Sequence, residues 1–447
     1  IVGNFNLKDG PHDVFDKDII LLLNEISKEV LNSSKCKKFP DLVSFGFWCR
    51  ASNIKAIFNN YSFFKNRMGR GSVLHITPSN VPTNFAYSMV FGLLSGNNNI
   101  IRLPSKNFLQ VELLCNILKK LSKKIIYKKS FNRLLLIKYD NSDLISSELS
   151  KDVEARIIWG GDNTVNKFKS FITKPRCIDL AFANRYSISV IDSNKLGKLN
   201  SNDLAILTKK FYNDTYTMDQ FGCSSPNSVF WLGKNNIAKK NFWFELSKIV
   251  NKKYDLDLSG ANKKISILMN YTLSKNKKFK KNINNFNLIT LKNKKLSFDI
   301  FENINFGTFF EVNLNNINDL QKYTSEKLQT ITYYGTDFKS IKKFIIKNKI
   351  KGIGLIRNKF VNYKHNAYDN MMYNRFNYIG QNYISRGEMN VEEQMFMKYL
   401  DFTCFKGNRH LKRGQGFTRY PLLHLYKWKD KIDLVNYVRF MFKRRME

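Results

Sequence analysis

The sequence predicts an α/β protein built on a parallel, doubly wound sheet, and three observations predict it. Short apolar runs alternate with amphipathic stretches from Ser72 onward, and a second alternation of the same kind begins near Asp203. The 447 residues give room for two or three domains at roughly 150 residues each, with ample material for a buried core. No internal repeat is visible.

In chain order, residues 73–76 are the first strand and 84–94 its following helix. Residues 99–103 are the next strand and 108–121 the next helix. Strands at 134–137 and 156–159 continue the series, a helix-like stretch starts at Asn163, and a strand at 187–191 closes it. Buried strands separated by helices form parallel sheets covered on both faces, the architecture of dinucleotide-binding domains. In the second alternation a helix over 203–212 leads into a loop around Cys223, followed by a strand at 228–232. Further on, an amphipathic helix at 338–347 precedes a strand at 350–356. The Lys/Asn-rich stretch 275–285 reads as a solvated loop or exposed helix within this second unit.

Hydrophobic content of 43% and charged content of 25% are ordinary for a globular chain, but 74 Lys+Arg against 36 Asp+Glu gives a net charge of +38. Such an excess attracts polyanions. The basic residues are nonetheless spread along the chain, mainly as Lys among Asn and Ile, as codon bias produces, and form no single patch with interleaved aromatics. No specific nucleic-acid partner is expected. The six cysteines, Cys36, Cys49, Cys115, Cys177, Cys223 and Cys404, contain no Cys-x-x-Cys pair and no zinc or disulfide spacing. The expectation is therefore no metal and a reducing cytoplasm. No run reaches the ~18 apolar residues of a membrane span, and the opening residues carry no secretion signal.

Three segments carry chemistry. In Gly222-Cys223-Ser224-Ser225-Pro226, glycine permits a sharp turn and proline limits the chain beyond it, so one cysteine stands where a nucleophile would. A buried structural cysteine is the competing reading, and the commoner state of such residues. In Pro78-Ser79-Asn80-Val81-Pro82, a loop at a strand's carboxyl end presents Asn80, whose amide could donate to an oxyanion or merely cap the next helix. In the third segment a strand delivers Arg102, Ser105 and Lys106 to one loop; two cations and a hydroxyl suit a phosphate, specifically the 2′-phosphate of NADP, or form a solvated basic turn. Gly160-Gly161, after the strand at 156–159, could bring backbone donors and a helix N-terminus to a phosphate, but it is not a Gly-x-Gly-x-x-Gly turn. His75, on an apolar strand, reads as a core residue and not as a base.

Together with Asn184-Arg185-Tyr186-Ser187, Asp219-Gln220, Lys327-Leu328-Gln329-Thr330 and Tyr334-Gly335, these segments resemble the LuxC-type acyl-CoA reductases. That family is a branch of the aldehyde dehydrogenase superfamily and reduces fatty acyl thioesters to aldehydes. The resemblance implies an aldehyde dehydrogenase-like α/β fold: a Rossmann-type cofactor domain over 1–200, a catalytic domain over 201–405, and a segment 406–447 returning to a small oligomerisation sheet. It implies Cys223 as the acylated nucleophile, with its own N–H and Asn80 holding the oxyanion. It also implies Arg102, Ser105, Lys106, Gly160 and Gly161 as contacts to NADPH.

Departures from the superfamily pattern carry mechanism. Aldehyde-oxidising relatives keep a water-activating glutamate where this chain reads Phe182-Ala183-Asn184-Arg185-Tyr186-Ser187, with no carboxylate. A thioester on Cys223 would then persist until it meets hydride. The superfamily's Glu-x-Phe-Gly segment keeps Phe306-Gly307 but has Ile304 in place of the acid, leaving Glu302 or Glu311 as compensating candidates. Gly414 to Tyr420 resembles the superfamily's closing glycine turn. The expected function is NADPH-dependent reduction of a long-chain fatty acyl thioester by a homo-oligomer, with acyl-CoA, an acidic acyl carrier or an acyl-activating synthetase as donor. Alternatives are an aldehyde dehydrogenase running oxidatively, which the missing glutamate opposes, and an inactive basic binding protein on the same scaffold.

Overall fold

The computed structural model describes residues 2–5, 10–60, 67–216, 219–222, 224–273, 280–292, 304–325, 327–348, 355–358, 376–380, 383–389 and 404–406. The chain divides into two compact units, 1–405 and 406–447, and residues 407–447 lie outside the described residues. The expected closing turn at Gly414 to Tyr420 falls there. Among the described residues no helix is long and apolar enough to cross a membrane.

Among the described residues the first unit holds two large sheets, and the short strand Arg67–Gly69 pairs separately with residues 404–406. The strands up to residue 182 are β1 (Val2–Phe5), the short β2 (Arg67–Gly69), β3 (Ser72–Ile76), β4 (Asn98–Arg102), β5 (Arg133–Ile137), β6 (Ala155–Trp159) and β7 (Ile178–Phe182). All but β2 form a six-stranded sheet of order β1-β5-β4-β3-β6-β7. It is parallel except for β1, which runs antiparallel to β5. The chain moves from β3 through β4 to β5 on one side, then returns to lay β6 and β7 on the other. The order therefore reverses between β3 and β6, where doubly wound sheets open a ligand crevice outside their carboxyl ends. Register levels that rim, since Ile76 pairs with both Arg102 and Ile158, and Trp159 with Phe182.

The helix Asn84–Leu94 is buried on nearly every side because it is sandwiched. One side meets the sheet; the other meets the helices Lys17–Asn32 and Pro40–Trp48, through Phe45, Trp48, Tyr87 and Phe91. Gly92 makes the approach to β4 possible, since a Cβ there would stand 1.8 Å from Asn99 Oδ1. The N-terminal helices precede the strand-helix alternation that begins at Ser72.

His75 confirms its core reading. Its Nδ1 lies 2.8 Å from Ser88 Oγ and its Nε2 2.9 Å from Asn99 Oδ1, while Trp159 Nε1 donates to Ser88 Oγ at 3.2 Å. An amide oxygen can only accept, so Nε2 carries the proton and Nδ1 accepts from Ser88. Burial pushes the imidazole down to about 3, against the bond to Asn99. The ring is therefore neutral at physiological pH.

The second sheet comprises β8 (Tyr186–Asp192), β9 (Pro226–Leu232), β10 (Lys280–Asn285), β11 (Leu288–Lys292), β12 (Thr308–Asn313), β13 (Leu328–Tyr334), β14 (Leu355–Asn358), β15 (Phe376–Gly380) and β16 (Tyr383–Met389). Their order is β10-β11-β12-β9-β8-β13-β14-β15-β16, and the run from β11 to β14 is parallel. Two expectations are corrected here. The strand at 187–191 belongs to this sheet and not to the first, because its neighbours are β9 and β13. Residues 280–285 of the Lys/Asn-rich stretch form an edge strand paired with β11, not a loop or helix. The strand expected at 350–356 is described only over Leu355–Asn358.

Only residues 183–185 join β7 to β8. That connection leaves the carboxyl rim of the first sheet and enters the amino rim of the second. The described residues of 219–225, 304–307 and 325–327 also precede parallel strands, so they share that amino rim.

Candidate active site

The loop after β3 and the loop after β4 are tied together at the rim. Thr77 Oγ1 donates to the Arg102 carbonyl at 2.6 Å, and the Ser79 and Ser105 hydroxyls lie 2.8 Å apart. Asn80 is exposed beside them. It does not cap the following helix, whose N-cap is Thr83 with no side-chain capping bond. The competing role for Asn80 is thereby removed.

Arg102 lays its guanidinium 4.6 Å from the Tyr139 ring centroid and donates from Nη2 to the Asp140 carbonyl at 3.4 Å, while its buried Nε has no partner. Lys106 stands 4.9 Å from the Phe108 centroid, and it and Ser105 are exposed. Arg102 ends β4, and Ser105 and Lys106 follow it in the loop on the same rim.

Gly160 and Gly161 end β6 on the same rim. Gly160 N–H donates to the Phe182 carbonyl at 3.2 Å, and Gly161 is the N-cap of the helix Asp162–Ser170. The sequence reading missed what the next residue does. Asp162 accepts from the Asn184 N–H at 3.2 Å and pairs with Lys327 Nζ at 3.0 Å, joining the first sheet's rim to the start of β13. The hydrogen bond from Lys327 holds the Asp162 carboxyl below its usual range. A phosphate at this helix end would share the site with a carboxylate already interacting with the helix dipole. Gly160 and Gly161 are thus placed at the rim, but beside an acid.

Cys223 lies outside the described residues; its flanks are described. Ser225 N–H donates to the Gly222 carbonyl at 2.8 Å. Upstream, Asp219 and Gln220 have left-handed φ of 51° and 63°, a conformation non-glycine residues adopt at a cost. Facing them, Phe306 and Gly307 are left-handed too, at 59° and 70°. Phe306 N–H donates to the Asp219 carbonyl at 3.1 Å. The buried Gln220 amide completes the joint: Oε1 accepts from Gly307 N–H at 2.7 Å and Thr308 N–H at 3.2 Å, and Nε2 donates to the carbonyls of Thr308 at 3.2 Å and Pro226 at 3.4 Å. Gln220 therefore clamps the cysteine loop to the segment before β12. Nothing local in the sequence reveals it, because the groups it accepts from, on Gly307 and Thr308, lie 87 and 88 positions away.

Asp219 ties the loop to Tyr254, the residue that ends the helix Asn236–Lys253. Its carboxyl accepts from Tyr254 Oη at 2.6 Å. Burial raises its pKa; the Tyr254 bond opposes that, Asp257 adds to it, and the charge of Lys106 opposes it. Lys106 from the first sheet's rim thus lies within electrostatic reach of a residue four positions before Cys223. No carboxylate belongs to the 182–187 segment, and Asp162, which hydrogen-bonds to it, is held by Lys327. Of the two acids that could compensate for the one replaced by Ile304, Glu302 lies outside the described residues. Glu311 Oε1 is buried against two indoles, accepting from Trp231 Nε1 at 2.9 Å and Trp243 Nε1 at 2.6 Å.

Comparison with known proteins gives concordant results. The family model described as acyl-CoA reductase (LuxC) matches residues 55–343. Among solved structures, a lactaldehyde dehydrogenase superposes with TM-score 0.54 at 12% identity, over 86% of this chain and 82% of its own. The substrate-bound state of Staphylococcus aureus AldH gives 0.56 at 11%, over 94% and 96%. An E. coli NADP-dependent enzyme gives 0.55 at 10%, over 87% and 83%. No curated protein matches the chain. At such identities the structural likeness concerns the fold, which is α/β and aldehyde dehydrogenase-like.

Proposed function

The chain belongs to the acyl-CoA reductase (LuxC) family, and from that premise we propose that it reduces a long-chain fatty acyl thioester to the aldehyde with NADPH, through an acyl-Cys223 intermediate. At the coarser level it is an oxidoreductase acting on aldehyde or acyl groups. The observation that carries the finer reading is convergence. The Ser79–Ser105 contact joins the Asn80 loop to the Arg102–Lys106 loop, and the positive charge of Lys106 acts on the Asp219 carboxyl in the cysteine loop.

Arg102, Ser105 and Lys106 fit a phosphate-bearing cofactor, since Arg102 Nε is buried without a partner and Lys106 and Ser105 stand exposed on the same loop. When bound, the nicotinamide supplies hydride. The chain's own residues do the rest. Cys223 attacks the acyl carbonyl as thiolate and the carrier thiol leaves. Asn80, free of any capping duty, donates to the oxyanion. With no carboxylate in the 182–187 segment and Asp162 engaged by Lys327, water is not activated and the thioester survives until it is reduced. Collapse of the resulting thiohemiacetal releases aldehyde and restores the thiolate. The net charge of +38 suits an acidic acyl carrier or synthetase as donor, in the cytoplasm and as a homo-oligomer.

The test is intact-protein mass after incubation with a long-chain acyl-CoA, then after an NADPH chase, with Cys223→Ala as control. An acyl adduct that needs Cys223 and disappears with NADPH as aldehyde forms is the expected result. No adduct from CoA or carrier thioester would move the reading to a binding protein on this scaffold.

A further inference from the structure

Lys264 lies on the helix Leu258–Leu273 with its side chain fully buried. Burying an ammonium is costly unless it is paired, and among the described residues no carboxylate lies within ion-pair distance of it. It makes one short bond, from Nζ to the Phe306 carbonyl at 2.5 Å, and stands 5.2 Å from the Phe286 ring centroid. Burial alone pushes the amine down to about 7. A leucine or methionine would fill such a site at lower cost, so the lysine is explained by the carbonyl it holds.

That carbonyl belongs to a turn with a specific task. Of the four non-glycine residues with left-handed φ among the described residues, three are Asp219, Gln220 and Phe306. Phe306 donates its N–H to Asp219, its neighbour Gly307 donates to Gln220, and the Phe306 ring packs edge-on to Phe221 at 5.2 Å. Two strained turns thus brace each other, one of them leading into position 223. Left-handed residues keep such geometry only where surrounding bonds over-determine it. Lys264 supplies the bond on the far side of the Phe306 turn.

We propose that Lys264 is a positioning residue for the cysteine loop, fixing the Phe306–Gly307 turn through its carbonyl so that this turn holds Asp219 and Gln220. The inference rests on the reading of Cys223 as nucleophile. Lys264 touches neither substrate nor cofactor in this scheme; it acts through Phe306.

The test uses the full chain with Lys264→Met, which keeps length and removes the donor, and Lys264→Gln, which keeps a donor. Three quantities are read: the rate of Cys223 alkylation by iodoacetamide, corrected with Cys223→Ala; the rate of acylation by a long-chain acyl-CoA; and the midpoint of urea unfolding. The proposal expects Lys264→Met to slow alkylation and acylation about tenfold or more, with an unfolding midpoint unchanged or raised, and Lys264→Gln to recover part of both rates. Wild-type rates in Lys264→Met overturn it. So does a slowing in both variants that only follows a lowered midpoint, which marks a plain structural role. If the wild-type protein takes up no acyl group yet is alkylated at Cys223, the reductase reading fails while the alkylation comparison still decides the role of Lys264.

Discussion

Replacing Gln220 by leucine should uncouple the cysteine loop from the segment before β12, and the structure sets the size of the effect. Leucine is close in volume but cannot accept from Gly307 N–H or donate to the carbonyls of Thr308 and Pro226. Thr308 N–H keeps a second acceptor, the Asn305 carbonyl at 3.3 Å, so the Gly307 N–H is the group left without its acceptor. One orphaned buried donor and two weakened acceptors amount to about 3 kcal/mol. The left-handed pair Asp219–Gln220 then loses its reason to stay strained, and a shift of about 1 Å in the loop costs on the order of 100-fold in a reaction that needs near-attack geometry. Rapid-quench acylation with a long-chain acyl-CoA, followed by mass spectrometry, measures the rate; urea unfolding measures the stability. Gln220→Leu acylating at the wild-type rate would refute the clamp, whatever happened to its stability.

Three further outcomes are expected. Arg102→Ala should raise the KM for NADPH about tenfold or more while leaving that for NADH nearly unchanged, because a charge-assisted phosphate contact is worth about 1.5–3 kcal/mol; equal effects on both cofactors in steady-state kinetics would remove Arg102 from phosphate recognition. His75 is held neutral with a pKa near 3 against 6.5 in the free side chain, so the unfolded chain takes up the proton first. The stability this contributes is present above 6.5 and is lost as pH falls from 6.5 toward 3, at about 1.4 kcal/mol per unit. Urea unfolding of wild type and His75→Gln from pH 7 to pH 4 should show the steeper loss in wild type, and parallel slopes would contradict it. Glu311→Gln retains an acceptor for Trp231 and Trp243, so the KM for NADPH should not change; a large rise would restore Glu311 as a cofactor ligand.

The loops that end β3, β4 and β6 were legible in the sequence because their signals are local. A buried strand followed by Pro78-Ser79-Asn80-Val81-Pro82, or by Arg102 to Lys106, fixes both a strand end and what it presents, and strand ends in doubly wound sheets are where ligands go. The class of fold follows from the same periodicities, and membership of the family from motifs in order along the chain. Other features depended on partners distant in sequence. Tyr186–Asp192 looks like one more strand of the first series, and only its pairing with β9 and β13 assigns it to the second sheet. That assignment puts the cysteine loop at the amino rim of its sheet, facing the carboxyl rim of the other. The brace formed by Gln220, Phe306 and Lys264, and the Asp162–Lys327 pair across the rims, join residues whose neighbours in sequence say nothing of each other. Periodicity determines which faces are buried, whereas burial of a polar group is tolerable only when its partner is in place, and tertiary packing alone supplies that partner.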